Sequence, residues 1–138
     1  MRNGTRAGAL SLLFYLGLAL LCSHEIDAAV RAEWRLLPGL SQLEDAAGYA
    51  WFVLLHIPLF TLVFWLSQHP DQRLRTRSRS VICGFLVVHA GLHFWLSEHP
   101  DYAFTPPIET LTVYGGAGVG LLYLALAWRR HQRQNSDL

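Results

Sequence analysis

Residues 46–67 read AAGYAWFVLLHIPLFTLVFWLS, and this stretch contains no Asp, Glu, Lys or Arg. An α-helix rises about 1.5 Å per residue, so about 20 apolar residues cross the roughly 30 Å hydrocarbon core of a bilayer. His56 is the one histidine in the stretch. The stretch therefore predicts a transmembrane helix, with lipid as its surroundings.

Three more apolar stretches accompany it, at about residues 7–30, 81–97 and 107–128. Charged residues make up only 15% of the chain, whereas soluble domains carry about 25%. A length of 138 residues suits one domain, 1–138. The sequence predicts an all-α polytopic membrane protein, a bundle of four transmembrane helices. Pro106 and Pro107 suit the first turn of the last helix, where backbone donors are unpaired anyway.

The arginines predict how the bundle is oriented. Nine of the 11 basic residues would fall on one side of the membrane, which the positive-inside rule makes cytoplasmic. Both termini are therefore expected in the cytoplasm, and the bacterial cytoplasmic membrane is the expected location. The nine are Arg2, Arg6, Arg73, Arg75, Arg77, Arg79, Arg129, Arg130 and Arg133.

Two composition features fit this orientation. The four arginines between residues 73 and 79 fall in what the pattern predicts to be a short loop, where they are typical of a topology signal rather than of a nucleic-acid site. The tryptophans sit near predicted span ends, where amphipathic rings favour the headgroup layer: Trp34, Trp51, Trp65, Trp95 and Trp128.

Ionisable residues inside a membrane are costly and usually functional. His56 and His89 are predicted roughly 13 Å below the outer surface and His93 roughly 7 Å. His24 lies near the outer end of the first span. His89 and His93 are one helical turn apart and share a face, as do His24 and Asp27.

Three helices thus place imidazoles in one layer of the outer leaflet, with a carboxylate beside them. Neutral imidazole is the commonest metal ligand, and a carboxylate offsets the charge of the cation. The sequence predicts a mixed N/O metal site for Zn or Fe, with one or two ions. Its expected ligands are His24, Asp27, His56, His89 and His93.

Two acids near this layer are candidates for a general base, Glu25 and Glu33, and two acids are reserve ligands, Glu33 and Glu109. A haem held between His56 and His89 is an alternative cofactor, but the clustered acids fit it less well because a carboxylate is not a usual axial partner. A hydrogen-bonded polar network without metal also stays open.

The last span carries Gly116-x-x-x-Gly120. Small residues at this spacing let helices approach closely. This face is expected to pack the span on its neighbours, on a second copy in a homo-oligomer, or on a partner subunit.

Several short motifs resemble those of a family of small bacterial four-span membrane proteins of unknown function. They are Ser23-His24-Glu25-Ile26-Asp27-Ala28-Ala29, Glu33-Trp34-Arg35 and His56-Ile57-Pro58-Leu59-Phe60, together with His89 and His93. The resemblance implies the fold and no activity. The architecture is also loosely similar to the sterol-isomerase and sigma-2-receptor superfamily, an analogy of fold alone.

Three functions remain open on the sequence. The first is a metal-dependent membrane enzyme acting on a lipidic substrate. The second is a non-enzymatic module, either a metal carrier or an accessory subunit. The third is a metal-free lipid-binding protein or isomerase that uses Glu25, Asp27 and His56.

Overall fold

The chain folds into long helices joined by short turns. A computed structural model describes the backbone of residues 2–136 and the side chains of residues 8–133, and that part of the chain contains no strand. The side chains of Arg2 and Arg6, used above for orientation, lie outside it. The helices are α1 (Arg2–Val30), α2 (Asp45–Ser67), α3 (Gln72–Leu96), α4 (Pro106–Glu109) and α5 (Gly115–Ser136). A π-helical turn, Thr110–Tyr114, joins α4 to α5 so that they form one long helix.

By length and composition, four helical segments could cross a membrane. They are Gly8–Val30, Asp45–Ser67, Gln72–Leu96 and Pro106–Arg133. Pro106 and Pro107 open the last of them at its first two helical positions, as the sequence predicts. Leucine, valine and tryptophan side chains stay exposed along these segments, and water would be a poor solvent for so much continuous apolar surface.

Helix α5 packs closely against both α1 and α3, and α2 lies to one side, mainly against α3. The centre of the three-helix contact is a cluster that includes Phe14, Leu86 and Tyr123. Cys83 is buried in the same cluster and Cys22 packs against it, both as free thiols. They serve there as small apolar residues.

Two glycines of α5, Gly116 and Gly120, lie inside this contact. A Cβ on Gly120 would come 2.6 Å from the Cys83 carbonyl oxygen on α3, closer than real side chains approach. Gly116 is buried on the side facing α1, where its Cβ would lie 3.8 Å from Leu20. The pair therefore lets α5 sit close to both neighbouring helices.

Helix α3 begins at Gln72, about two turns before the last of these arginines, so the stretch 73–79 is helical and not the loop that the pattern predicts. The start is set by Asp71, whose side chain accepts hydrogen bonds from the backbone N–H groups of Arg73 (2.7 Å) and Leu74 (3.2 Å). Such N-caps commonly stabilise a helix by about 1 kcal/mol. The hydrogen bonds from Leu74 and Arg73 also lower the pKa of Asp71.

Two of these arginines have a structural use. Arg79 donates from Nε to the Ser67 carbonyl oxygen at 2.9 Å and its guanidinium lies 4.8 Å from the centre of the Phe14 ring. Arg75 donates to the His69 carbonyl oxygen at 2.6 Å. These bonds satisfy carbonyl groups left free where α2 ends, so the stripe holds the α2–α3 turn in addition to any topological role.

At the opposite end of the bundle the connections form a small cap. Two 3-10 turns, Glu33–Leu36 and Leu40–Gln42, join α1 to α2, and residues 97–105 join α3 to α4. A second apolar cluster holds them: Ala28, Trp34, Phe52 and Phe104. Trp34 is thus buried against Phe52 and Gly48, whereas the other four tryptophans are exposed, as interfacial anchors would be.

Candidate metal centre

Three histidines from two helices meet under the cap. The ring centre of His24, on α1, lies 4.8 Å from the ring centre of His89 and 4.8 Å from that of His93, both on α3. The rings of His89 and His93 are 4.7 Å apart, as the one-turn spacing on α3 requires. Phe104 stacks on His24 with ring centres 5.4 Å apart and meets His93 edge-on. The three imidazoles therefore form a compact triangle with an aromatic wall.

Glu33 supplies the fourth group. One ligand atom from each of His24, Glu33, His89 and His93 can be chosen so that all lie within 4.8 Å of one another. Four ligands about 2.1 Å from a tetrahedral zinc would be about 3.4 Å apart. Side-chain movements of about 1 Å would close the set on an ion.

Glu33 reaches this position through a backbone reversal. Helix α1 ends at Val30, and Ala32 then adopts a left-handed conformation with φ 57° and ψ 42°. Non-glycine residues adopt it at a cost of about 1 kcal/mol. The reversal sends the chain back along α1, so that Glu33 Oε2 comes 3.3 Å from Nε2 of His24 and Oε1 comes 3.8 Å from Nε2 of His93.

The polar atoms that converge here are buried and unpaired. Nε2 of His24, His89 and His93 and Oε2 of Glu33 make no hydrogen bond to any described residue, and neither does Nδ1 of His24. The 3.3 Å approach of His24 to Glu33 is close enough for an ion pair but lacks hydrogen-bond alignment. A buried polar atom without a partner costs about 1–3 kcal/mol. Four such atoms aimed at one point fit the donor set of a cation.

The charge at the cluster also suits a cation. Burial raises the pKa of the Glu33 carboxyl, but its interactions with His24, His93 and His89 outweigh burial and the net shift is downward. Glu33 is therefore a carboxylate at neutral pH. It would contribute one negative charge beside the three imidazoles.

Behind His93 lies a chain of hydrogen bonds from the cap. Nδ1 of His93 is 2.8 Å from the Tyr102 hydroxyl, which in turn donates to Glu109 Oε1. Because the hydroxyl proton points to Glu109, the tyrosine oxygen accepts from Nδ1–H, which leaves the Nε2 lone pair free toward the cluster. Burial, together with the hydrogen bond to Glu109, raises the pKa of Tyr102 and keeps the hydroxyl protonated.

Glu109 stands at a defect in the helix. It is the last residue of α4 and directly precedes the π-helical turn, and such turns occur frequently at functional sites. Glu109 is buried, and its Oε1 lies 3.5 Å from Nδ1 of His93. The acid thus supports the histidine from behind and does not belong to the four-residue group.

Two of the five ligands expected from the sequence lie apart from this group. Asp27 Oδ1 pairs with Arg31 Nε at 3.3 Å, and Arg31 also donates to Thr105. His56 is engaged at both nitrogens, with Nδ1 2.6 Å from the Phe52 carbonyl oxygen and Nε2 2.9 Å from Glu25 Oε2. The structure thus places His24, His89 and His93 with Glu33, one of the two acids expected to act as bases.

The His56–Glu25 contact constrains its protons. A carbonyl oxygen only accepts, so Nδ1 of His56 must carry a proton. The short Nε2–Oε2 contact then holds one further proton, which makes the pair either imidazolium and carboxylate or imidazole and carboxylic acid. Neither nitrogen of His56 is left for a haem iron in this arrangement.

A cavity of about 330 Å³ separates the two groups. Glu33, His89 and His93 reach it from the cluster, and Glu25 and His56 reach it from the side of α1 and α2. The rest of its wall is apolar: Leu36, Leu37, Leu40, Phe52, Leu55, Leu59, Phe85, Leu92 and Leu96, with Tyr102. The arrangement can hold an ion at one edge of an apolar chamber and a proton-carrying pair at another.

The comparison with known proteins gives a family. A family model described as a family of unknown function (DUF6713) matches residues 10–130. The chain belongs to that family. This agrees with the resemblance found in the sequence, and four long apolar helices fit a four-span protein. No curated protein and no solved structure matches the chain.

Proposed function

We propose that this protein is a metal-dependent membrane enzyme that acts on a lipidic substrate. One observation carries the proposal: three imidazoles and a carboxylate converge at the edge of an apolar cavity, and Nε2 of each imidazole and Oε2 of the carboxylate are buried without a hydrogen-bond partner. His24, Glu33, His89 and His93 would hold one Zn or Fe ion. Such an ion polarises substrate oxygen or activates water or dioxygen.

The residues around the ion have separate roles in this proposal. Glu33 would balance charge, and the Tyr102–Glu109 chain would fix the His93 tautomer. His56 and Glu25 hold a mobile proton across the cavity and would act as general acid and base. The apolar wall would exclude water from the reacting group.

The proposal includes a membrane topology. The four spans would lie in the bacterial cytoplasmic membrane with both termini in the cytoplasm, which puts the metal centre and its cap at the outer face. The arginine distribution supports this orientation.

Metal content tests the proposal directly. Detergent-purified protein should carry about one ion per chain by mass-spectrometric elemental analysis, because four ligands surround one point. His89→Ala with His93→Ala should abolish that content, and His99→Ala, in an exposed turn, should leave it unchanged. Folded wild-type protein that stays metal-free when expressed with added zinc or iron would refute it.

Turnover needs a second experiment. Membrane lipid extracts from cells that express the wild type should differ in defined species from those that express the folded His89→Ala, His93→Ala variant. Identical extracts, with metal bound, would favour a carrier or accessory subunit over an enzyme.

A non-enzymatic, metal-stabilised module is the second candidate. Its supporting observation is that four protein ligands fill a tetrahedral zinc site, and closed sites of this kind are typically structural. Iron prefers five or six ligands, so the four protein ligands would leave one or two positions for water or substrate. Tightly bound zinc whose removal unfolds the protein would support the module. Such a module would act on its own, with a second copy of the chain or with a partner subunit.

A metal-free lipid-binding protein or isomerase rests on the Glu25–His56 pair alone. Lipid conversion that persists in the His89→Ala, His93→Ala variant and is lost in Glu25→Gln would favour it.

A further inference from the structure

The cavity opens sideways. Four of its lining side chains are also 42–51% exposed on the outside of the bundle: Leu55 and Leu59 on α2, and Phe85 and Leu92 on α3. Its mouth therefore lies between α2 and α3, in segments apolar enough for a membrane. A molecule that enters between these leucines comes from the lipid phase.

The polar side chains of the cavity lie on two sides of it, with Glu33, His89 and His93 on one and Glu25 and His56 on the other. No arginine is among the described residues that line the cavity. The Glu25–His56 pair is neutral overall, because its shared proton leaves either imidazolium with carboxylate or imidazole with carboxylic acid. An anionic headgroup beside this pair would be buried without a compensating side-chain cation, which is strongly unfavourable.

We propose that the occupant is an uncharged, single-chain lipid whose hydroxyl group donates to Glu25, and that phospholipids are excluded. Both nitrogens of His56 are engaged, so the pair offers the remaining lone pairs of the Glu25 carboxyl oxygens, which accept a hydrogen bond from a neutral hydroxyl group. A volume of about 330 Å³ lies at the small end of ligand cavities, so one chain fits and two acyl chains do not.

This inference names the substrate class of the proposed enzyme and so rests on the proposed function, but lipid binding and metal binding are measured separately. The first probe is a hexadecanol that carries a diazirine near the hydroxyl end. The second is the same chain ending in phosphate. Protein in nanodiscs is irradiated with either probe, and the labelled residues are mapped by peptide mass spectrometry.

The alcohol should label residues around the cavity, and unlabelled hexadecanol should compete. Labelling by the phosphate probe should be weaker by about tenfold or more, because the phosphate would be buried without a compensating cation. Leu59→Trp should block cavity labelling by filling the mouth. Leu62→Trp, also exposed on α2 but outside the cavity lining, should not.

Equal labelling by both probes in the wild type, or labelling spread evenly over the outside of α2, would overturn the inference. Cavity labelling in protein that never binds metal would refute the metal-dependent enzyme and leave the lipid site standing. Bound metal without cavity labelling would refute the lipid site and leave the metal centre standing.

Discussion

At the scale of single residues, the decisive feature is which acid joins the histidines: Glu33 does, and Asp27 does not. Asp27 shares a face of α1 with His24, yet it pairs with Arg31 at 3.3 Å. Glu33 lies beyond the end of the helix and returns to the cluster through the left-handed Ala32. Local spacing favours the first acid, but the backbone reversal presents the second.

Tyr102 provides the residue-scale prediction. Tyr102→Phe removes the acceptor for His93 Nδ1–H, which sets the histidine tautomer. Loss of such supporting bonds typically lowers metal affinity by about 10–100-fold. Competition with a fluorescent zinc chelator should measure a drop of this size, because the single proton of the neutral imidazole is then free to move from Nδ1 to Nε2, the atom that faces the cluster.

A matched control is Tyr114→Phe, a tyrosine outside both the cluster and the cavity lining. It should bind metal like the wild type. Equal affinity in the wild type and in Tyr102→Phe would show that the hydroxyl only fills space.

At the scale of the helices, α5 depends on one close approach. Gly120 lies against the backbone of α3 at Cys83. A methyl group at this position would meet the Cys83 carbonyl oxygen, and a backbone atom cannot move aside as the end of a side chain can. Helix α3 also carries His89 and His93, so a displacement here would be transmitted to the metal centre.

Gly120→Ala should therefore destabilise the protein, by about 1–3 kcal/mol as overpacked cores do. It should also weaken metal binding. Thermal unfolding in detergent, followed by circular dichroism, measures the first effect.

Gly118→Ala is the internal comparison. A Cβ at Gly118 meets nothing within 4 Å, and Ala is favoured over Gly in a helix by about 1 kcal/mol. This variant should unfold at the wild-type temperature or above it. If the two variants unfold together, the α3–α5 contact is looser than the structure indicates.

At the scale of the whole molecule, polarity divides the bundle. One end of the bundle holds the candidate metal centre, the cap and the Glu25–His56 pair. The other end holds the arginines of α3 and of the end of α5. With the arginines in the cytoplasm, the cluster would work at the outer face.

Reporter fusions at the C-terminus test this orientation. Green fluorescent protein should fluoresce there, and alkaline phosphatase, which needs an oxidising compartment, should be inactive. The same phosphatase inserted after Ser41, in the cap, should be active. The opposite pattern of activities would invert the topology and place the metal centre in the cytoplasm.

The sequence by itself determined the number of long helices and the family, because uninterrupted apolar length is a local property that needs no knowledge of neighbours. It also indicated that His24, His89 and His93 lie at similar depth, since rise along a helix is fixed. The start of α3 was missed because the Asp71 cap is a local signal that the apolar pattern does not include.

Only the tertiary structure decided which of these residues meet. Depth along a helix leaves the rotation and the lateral position of the helix free. Equal depth therefore could not distinguish His89, which lies in the cluster, from His56, which pairs with Glu25 on the other side of the cavity. The arrival of Glu33 depends on a single left-handed residue, Ala32, which carries no glycine signal. Helix packing and one strained turn, neither of them encoded by periodicity, bring the ligands to one point.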